Sequence, residues 1–565
     1  DLQWADSASL QLIKLLMGGK GYLLLLGAYR DNEVQAAHPF MLTVEELKKT
    51  NAIVNTITLA PLIFQDINRL VAETLNCSTE LSQPLAELVQ RKTQGNPFFI
   101  TQFLKALHED GYIISSHAGW ECDIAKINAL SLTEDVVEFM ATQLHKLPHE
   151  TRRILTLAAC IGNQFDLATL TTVSEQSDVV TAIALWKALQ EGLVIPQNEV
   201  YKFYLSHDEQ DTNIVNTENV TYRFLHDRVQ QASYSLIPED QKQETHLKIG
   251  RLLLPSVANG NTEQVFDIAA QFNAAVSLIT DPQEQIEIAQ LNLAAAQKAK
   301  AATAYKGLVT YASTGIELMG VTAWQENYEL TLQLYEAAAE GTYLLGEYAE
   351  LSRWVEPILQ QAKSLEDKIK VYELQVFSLQ AQNRLQEAID TALGVLKQLD
   401  IFLPAHPNKI QVLLKLGETK LKLLGKTQDL IHLSTMNQSK AKAAMQILSS
   451  ALSTTYIARP DLLPLNVFEQ VKLSLKYGNT NLSAFAYSWY ALILSGVLQD
   501  IESGYQFAKL ALELLEKFGA KEIRCRTLFM VYCFVYHWHE PLGDTIAPLR
   551  TAYTIGLESG DLEYA

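Results

Sequence analysis

The chain has 565 residues, 48% of them hydrophobic, with 45 Lys and Arg against 64 Asp and Glu, a formal charge of −19. That length exceeds what one core supports and predicts three or four domains, and the apolar content excludes a disordered tail. The acidity argues against non-specific nucleic-acid binding, which needs Lys and Arg to displace counterions from phosphates, and it suits solubility in a cytoplasm.

Residues 1–60 alternate helix and strand. Ser7 and Ser9 offer a cap before Leu10, Leu12, Ile13, Leu15 and Leu16, which recur at helical spacing. Tyr22 to Tyr29 is a continuous apolar run that predicts a strand buried on both faces, the habit of a parallel sheet, and Asn55 to Leu59 predicts a second. Residues 61–117 turn helical: Pro84 predicts a helix start, Gly95-Asn96-Pro97 ends that helix, and a second runs from Phe98 to Glu109. Asp110-Gly111 turns into a short strand at Tyr112-Ile113-Ile114.

Residues 118–250 read as short helices followed by a small hairpin, a winged-helix pattern, with Leu193-Val194-Ile195 and Tyr222-Arg223-Phe224 as strands and the polar stretch Ser206 to Asn219 as the loop. Residues 251–565 read as helical pairs with similar turns at Leu345-Gly346-Glu347-Tyr348, Arg384-Leu385-Gln386-Glu387 and Asp500-Ile501-Glu502-Ser503. The first two turns lie about 40 residues apart, longer than the ~34 of a strict tetratricopeptide repeat, so a degenerate α-α solenoid is expected. The fold class is therefore mainly α, with a truncated α/β core at the front.

No apolar run approaches the ~18 residues of a membrane-spanning helix. Five scattered cysteines (Cys77, Cys122, Cys160, Cys525 and Cys533) suit a reducing compartment. Cys525, Cys533, His537 and His539 lack the close pairs that zinc prefers. The first residues read as the end of a motif and the last as the middle of a helix, so a fragment of a longer chain is expected.

Four short stretches carry candidate chemistry: Asp1-Leu2-Gln3-Trp4-Ala5-Asp6-Ser7, Leu26-Gly27-Ala28-Tyr29-Arg30-Asp31, Gly95-Asn96-Pro97-Phe98-Phe99 and Phe224-Leu225-His226-Asp227-Arg228. Each has an ordinary structural reading, respectively a helix cap, a surface arginine, a helix break and a histidine at a helix start. In this order they resemble the ATPase module of the STAND branch of AAA+ proteins. The resemblance implies that Asp1 is a Walker B acid holding Mg²⁺ or orienting water and that Arg30 is a sensor of the γ-phosphate. It implies that Gly95 and Pro97 open a lid helix near adenine and that His226 touches the diphosphate of ADP. His226-Asp227-Arg228 also resembles the phospho-acceptor box of sensor histidine kinases, but no downstream ATP-lid motifs follow.

No Gly-x₄-Gly-Lys-Ser/Thr loop is present; Gly425-Lys426-Thr427 and Gly19-Lys20 fail at the first glycine. In this fold the loop precedes Walker B, so the complete parent protein, rather than this segment, is expected to bind ATP or ADP with Mg²⁺. No protein-kinase catalytic set is present either. The helical part, through Ala441 to Leu452 and Tyr477-Gly478-Asn479 to Tyr487, Tyr490 and Gly504-Tyr505, resembles the region after the ATPase in bacterial, cyanobacterial-type multi-sensor serine/threonine and histidine kinases. That implies a nucleotide-controlled switch whose repeats meet protein partners or flanking kinase domains, with a nucleotide-dependent oligomer among the expectations. Two other classes stay open: a STAND transcription activator with a C-terminal DNA-binding domain, and a non-enzymatic repeat scaffold.

Overall fold

The computed structural model describes residues 2, 5, 7–17, 23–29, 39–49, 53–116, 119–122, 126–127, 136–198, 220–258, 264–424, 427–559, 561 and 563–564. The chain is mainly helical and divides into two compact units, residues 1–295 and 296–565. The hairpin loop expected at Ser206 to Asn219 lies outside the described residues.

The first unit runs α1 (Ser7–Met17), α2 (Pro39–Lys49), α3 (Phe64–Leu75), α4 (Thr79–Thr93), α5 (Pro97–Glu109), β1 (Ile113–Ser116) and β2 (Gly119–Cys122). It continues with α6 (Val136–His145), α7 (His149–Ile161), β3 (Gln164–Asp166), α8 (Leu167–Ser174), α9 (Asp178–Gln190), β4 (Val194–Pro196) and β5 (Thr221–Phe224). Helices α10 (Asp227–Ser235), α11 (Lys242–Ala258) and α12 (Val265–Asn273) follow, and α13 (Pro282–Ala301) leads out of the unit.

The two runs expected as strands, the first of them buried, differ from that expectation. Within 23–29 and 53–59 the described backbone forms no strand, and Leu26 is 86% and Leu59 91% exposed. A strand needs a neighbour for its amides and a cover for its side chains, and the described residues supply neither row in full. One pairing is present: the Leu2 amide donates to the Ala28 carbonyl at 2.8 Å, and the Leu2 side chain lies against Gly27. The start of the first motif therefore sits beside the middle of the second.

Pro84 also differs from expectation, because α4 starts earlier, at Thr79, and carries the proline inside it. The first turn is tied to α3 by Ser82 Oγ donating to Asn68 Oδ1 (2.6 Å) and Asn68 Nδ2 donating to the Thr79 carbonyl (3.0 Å). These bonds hold the turn that precedes the missing amide.

Helix α7, strand β3, helices α8 and α9 and then β4 and β5 form a compact group, with an antiparallel sheet in the order β3-β5-β4. Asp166 caps α8 by accepting from the Thr169 amide (2.8 Å), and Ser177 caps α9 by accepting from Val180. One core joins this group to the earlier helices through Ile67, Val89, Phe99, Phe103, Phe139, Leu155, Leu185, Tyr222 and Phe224. Helices α11 and α12, which the sequence placed at the start of the solenoid or just before it, pack into this unit. Gln271 Nε2 donates to the Cys160 carbonyl (2.9 Å) and its Oε1 meets His246 Nδ1 (2.7 Å). The buried Gln271 side chain of α12 thus finds its partners within this unit, on α7 and α11.

The second unit runs α14 (Tyr305–Met319), α15 (Tyr328–Leu344), α16 (Leu351–Gln361), α17 (Ile369–Ala381), α18 (Leu385–Gln398), α19 (Lys409–Leu423) and α20 (Ser439–Ser450). It ends with α21 (Leu452–Ala458), α22 (Leu463–Tyr477), α23 (Asn481–Leu492), α24 (Ile501–Phe518), α25 (Arg524–Phe534) and α26 (Ile546–Ser559). Two of the three similar turns share one physical form with the end of α13, whereas before Asp500 the helix widens into a π-turn and the Asp500 amide reaches back to Leu494. A residue with positive φ, Thr303, Gly346 or Asn383, ends the helix, and the next amide reaches back to the last turn: Ala304 to Ala299, Glu347 to Thr342, Arg384 to Leu379. Gly478 has φ +96°, and a Cβ there would strike the Ser434 carbonyl. Beside it the fully buried Asn479 donates to the Leu430 carbonyl (2.7 Å) and accepts from the Tyr487 hydroxyl (3.3 Å), stitching the 430–436 segment to α22 and α23.

Candidate functional site

Helix α4 ends where Gln94 and Gly95 both take positive φ, 51° and 82°. The Leu62 amide donates to the Gly95 carbonyl at 2.9 Å, and a Cβ on residue 95 would collide with the Leu62 carbonyl. Only glycine meets both demands. Asn96 caps α5 by accepting from the Phe99 amide at 3.0 Å, and Pro97 takes the first helical position, where its fixed φ and absent N–H cost nothing. Phe99 anchors the helix in the core against Phe139 and Phe103, and so fixes where Phe98 must point.

Strand β5 delivers the other half. The Leu225 amide donates to the Leu193 carbonyl (2.9 Å), closing the sheet end, and His226 then becomes the cap of α10. Its Nδ1 lies 3.1 Å from the Arg228 amide and 2.5 Å from Asp227 Oδ1. Two groups therefore compete for one ring nitrogen: the amide donates to a neutral Nδ1, whereas the carboxylate accepts from a protonated one. The imidazole stacks on Phe98, with ring centres 4.7 Å apart and planes 19° apart.

A polar link holds the same two parts together. Lys105 on α5 donates to the Glu191 carboxylate (2.6 Å) and to its backbone carbonyl (3.0 Å), and Lys187 of α9 reaches the other carboxylate oxygen (2.6 Å). Burial raises the Glu191 carboxyl pKa, but the hydrogen bonds and charges of Lys105 and Lys187 outweigh it and hold the group down to about 2.

The structure thus brings Gly95, Pro97 and His226 into one neighbourhood through Phe98. Asp1 and Arg30 lie outside the described residues; Leu2 beside Ala28 marks where the two motifs meet. The sequence signalled Phe98 only as part of a motif, and nothing in it pointed to the Lys105–Glu191 link, whose partners are far apart in the chain. Among the described residues no group of three or more His, Cys, Asp and Glu side chains is placed to hold a metal ion.

No family model matches the chain. It is 27% identical over 608 aligned residues to the hybrid signal transduction histidine kinase G of Dictyostelium discoideum, a match covering 96% of this chain and 18% of that protein. It is 23% identical over 323 residues to the peroxide stress-activated histidine kinase mak3 of Schizosaccharomyces pombe, covering 55% of this chain and 12% of that protein. The chain therefore spans under a fifth of the length of these curated relatives. Among solved structures it is similar to a STAND protein with a tetratricopeptide repeat sensor from Pyrococcus horikoshii, at 14% identity and a TM-score of 0.27, over 90% of this chain and 75% of that one. The relatives are signal-transduction kinases, and among the described residues no helix is long and apolar enough to cross a membrane.

Proposed function

We propose that the chain is the regulatory ATPase-and-repeat segment of a signal-transduction kinase, a nucleotide-controlled switch joined to a protein-interaction surface. The observation that carries this reading is the Phe98–His226 stack, which ties the Gly95–Pro97 helix start to the cap of α10. On this reading 61–117 is the lid and 118–250 the winged-helix domain, whose helix–strand–helix–helix–hairpin order fits β3, β4 and β5. The repeats meet partner proteins or flanking kinase domains, and assembly can follow nucleotide state.

The residues present fit one side of the nucleotide. The ring of Pro97 suits packing near adenine, held in place by the Gly95–Leu62 backbone contact, and His226 suits a phosphate oxygen. The amide cradle for the phosphates is not in this sequence. Asp1 would help hold Mg²⁺ and Arg30 would read the γ-phosphate. Bound ATP supplies phosphoryl-transfer free energy; the contribution of Phe98, His226 and the Lys105–Glu191 link is to keep lid and winged helix together until nucleotide exchange favours separation. The kinase relatives support this context over a transcription activator.

The test is nucleotide exchange in the complete parent protein. His226→Ala and Phe98→Ala should each speed ADP release and raise basal output. Release rates equal to wild type in both would sink the switch and leave a repeat scaffold.

A further inference from the structure

Helices α3 and α5 and the β1–β2 hairpin frame a half-open cleft of about 440 Å³. Its floor is apolar and sunk into the core: Val71 and Ile113 are buried, and Leu75 and Leu104 pack against the same core. Leu70 and Trp120 stand at the rim, each 37% exposed. The volume falls in the range of about 300–1,000 Å³ that small-molecule sites occupy. A stable protein interface needs about 800 Å² from each side, and this recess is too small to supply it.

The polar groups of the lining decide the class of ligand. The Thr74 hydroxyl donates to the Leu70 carbonyl (2.7 Å) and the Thr101 hydroxyl to the Pro97 carbonyl (3.0 Å), each one turn back on its own helix. Neither hydroxyl proton is left for a ligand. Lys105, at the edge of the lining, faces Glu191 (2.6 Å) and Glu109 (3.8 Å), and Lys187 shares Glu191 (2.6 Å). Two cations meet two acids, so the wall carries no excess charge. His108 Nδ1 lies 2.9 Å from the Ile113 carbonyl. A carbonyl only accepts, so Nδ1 carries the proton and Nε2 of the neutral ring is an acceptor. The Trp120 indole N–H is a donor. The two rings meet edge to face, with centres 5.4 Å apart and planes 75° apart, and form an aromatic corner at the rim.

A carboxylate or ammonium entering this cleft would lose its water with no free countercharge in the wall. A hydroxyl both donates and accepts, so it can answer the imidazole acceptor and the indole donor, while an uncharged ring suits the apolar floor and the aromatic corner. We infer that the cleft binds a small, flat, uncharged aromatic molecule carrying a hydroxyl group, which donates to His108 Nε2. Its occupation ties α5 to α3 and to the hairpin, at the end of α5 opposite Pro97. This inference stands apart from the nucleotide reading.

The test is equilibrium dialysis of the full chain, at about pH 7.5, against 2-naphthol, naphthalene and 2-naphthoate. One saturable site for 2-naphthol is expected, about three- to tenfold tighter than for naphthalene, the worth of one neutral hydrogen bond. The anionic 2-naphthoate should bind at least about tenfold more weakly than 2-naphthol. Thr101→Trp, which fills the cleft from an exposed position, should abolish binding, and His108→Phe should bind 2-naphthol no better than naphthalene. Thr310→Trp, at an exposed threonine of α14, should bind like wild type, and unchanged thermal melts would show that the variants fold. No saturable binding of 2-naphthol, undiminished binding by Thr101→Trp, a hydroxyl preference that survives His108→Phe, or equal binding of 2-naphthoate would overturn the inference. So would a concentration-dependent dimer that Thr101→Trp abolishes, which would assign the cleft to a second copy.

Discussion

The Phe98 ring lies face to face with the His226 imidazole at 4.7 Å, so the start of α5 and the start of α10 share one contact. Stacked aromatic pairs contribute about 0.5–1.5 kcal/mol beyond their area. A double-mutant cycle of Phe98→Ala and His226→Ala, followed by urea denaturation, should return a coupling energy of that size. Additive losses would show that the rings adjoin without interacting.

Gly95→Ala should destabilise the first unit by about 2 kcal/mol. It would hold alanine in the left-handed region and press a methyl group on the Leu62 carbonyl. Gly111→Ala is the comparison: it has similar φ but open space around it, so it should cost only about 1 kcal/mol. Thermal melts of the two variants separate strain from collision.

The Lys105–Glu191–Lys187 cluster makes an acid-sensitive contribution. The folded carboxyl titrates near 2 rather than 4.5, so its stabilisation is complete above the unfolded pKa and is lost as pH falls through 2. Because Lys105 is more than a third exposed, solvent screening keeps the effect to about 1 kcal/mol. Glu191→Gln should therefore weaken the protein at pH 7 and become indistinguishable from wild type near pH 2. A pH-independent difference would mean that packing, not charge, is lost.

Glu373 works in the opposite direction. Burial pushes its carboxyl up to about 7, against the Gln446 hydrogen bond (2.7 Å) and the positive charges of Arg526 and Lys370. The folded state thus holds a proton that the unfolded state releases near 4.5, and stability falls as pH rises from about 4.5 to 7. Glu373→Gln should leave stability unchanged at pH 4 and raise it by about 2 kcal/mol at pH 8. A parallel offset at both pH values would refute the assignment.

Asn479→Ala should cost about 2–4 kcal/mol, because it removes the donor to Leu430 and the acceptor of Tyr487 inside a dry core. Asn479→Asp should be at least as harmful, since the carboxylate cannot donate to Leu430. Urea titration of the two variants distinguishes lost volume from lost hydrogen bonding.

These residues show what the sequence made legible. Gly95 admits the positive φ that ends a helix and Pro97 fixes its own φ and lacks an amide proton, so the helix break was readable without a fold. The turns at Gly346 and Asn383 were readable because glycine and asparagine admit positive φ, and β4 and β5 fell where the apolar strand pieces predicted. What failed to show was everything decided at a distance. Phe98 and His226 meet only because Phe99 and Leu225 anchor their neighbours, and no local pattern encodes that meeting. Pro84 misled because a proline's effect depends on tertiary bonds at Ser82 and Asn68. The partners of Gln271 on α7 and α11 were equally hidden, because they are chosen by packing between helices far apart in the chain. The Leu23–Leu26 run was read correctly as apolar and wrongly as buried, since burial belongs to the cover and not to the row.

That last feature has a practical side. An uncovered aliphatic row is what chaperones bind and what seeds precipitation. Protein shortened to begin at Pro61 should remain dispersed at concentrations where the longer chain sediments, while its helical content per residue rises. The leading sixty residues would then be the part of the molecule that governs its handling, and everything beyond them the part that governs its shape.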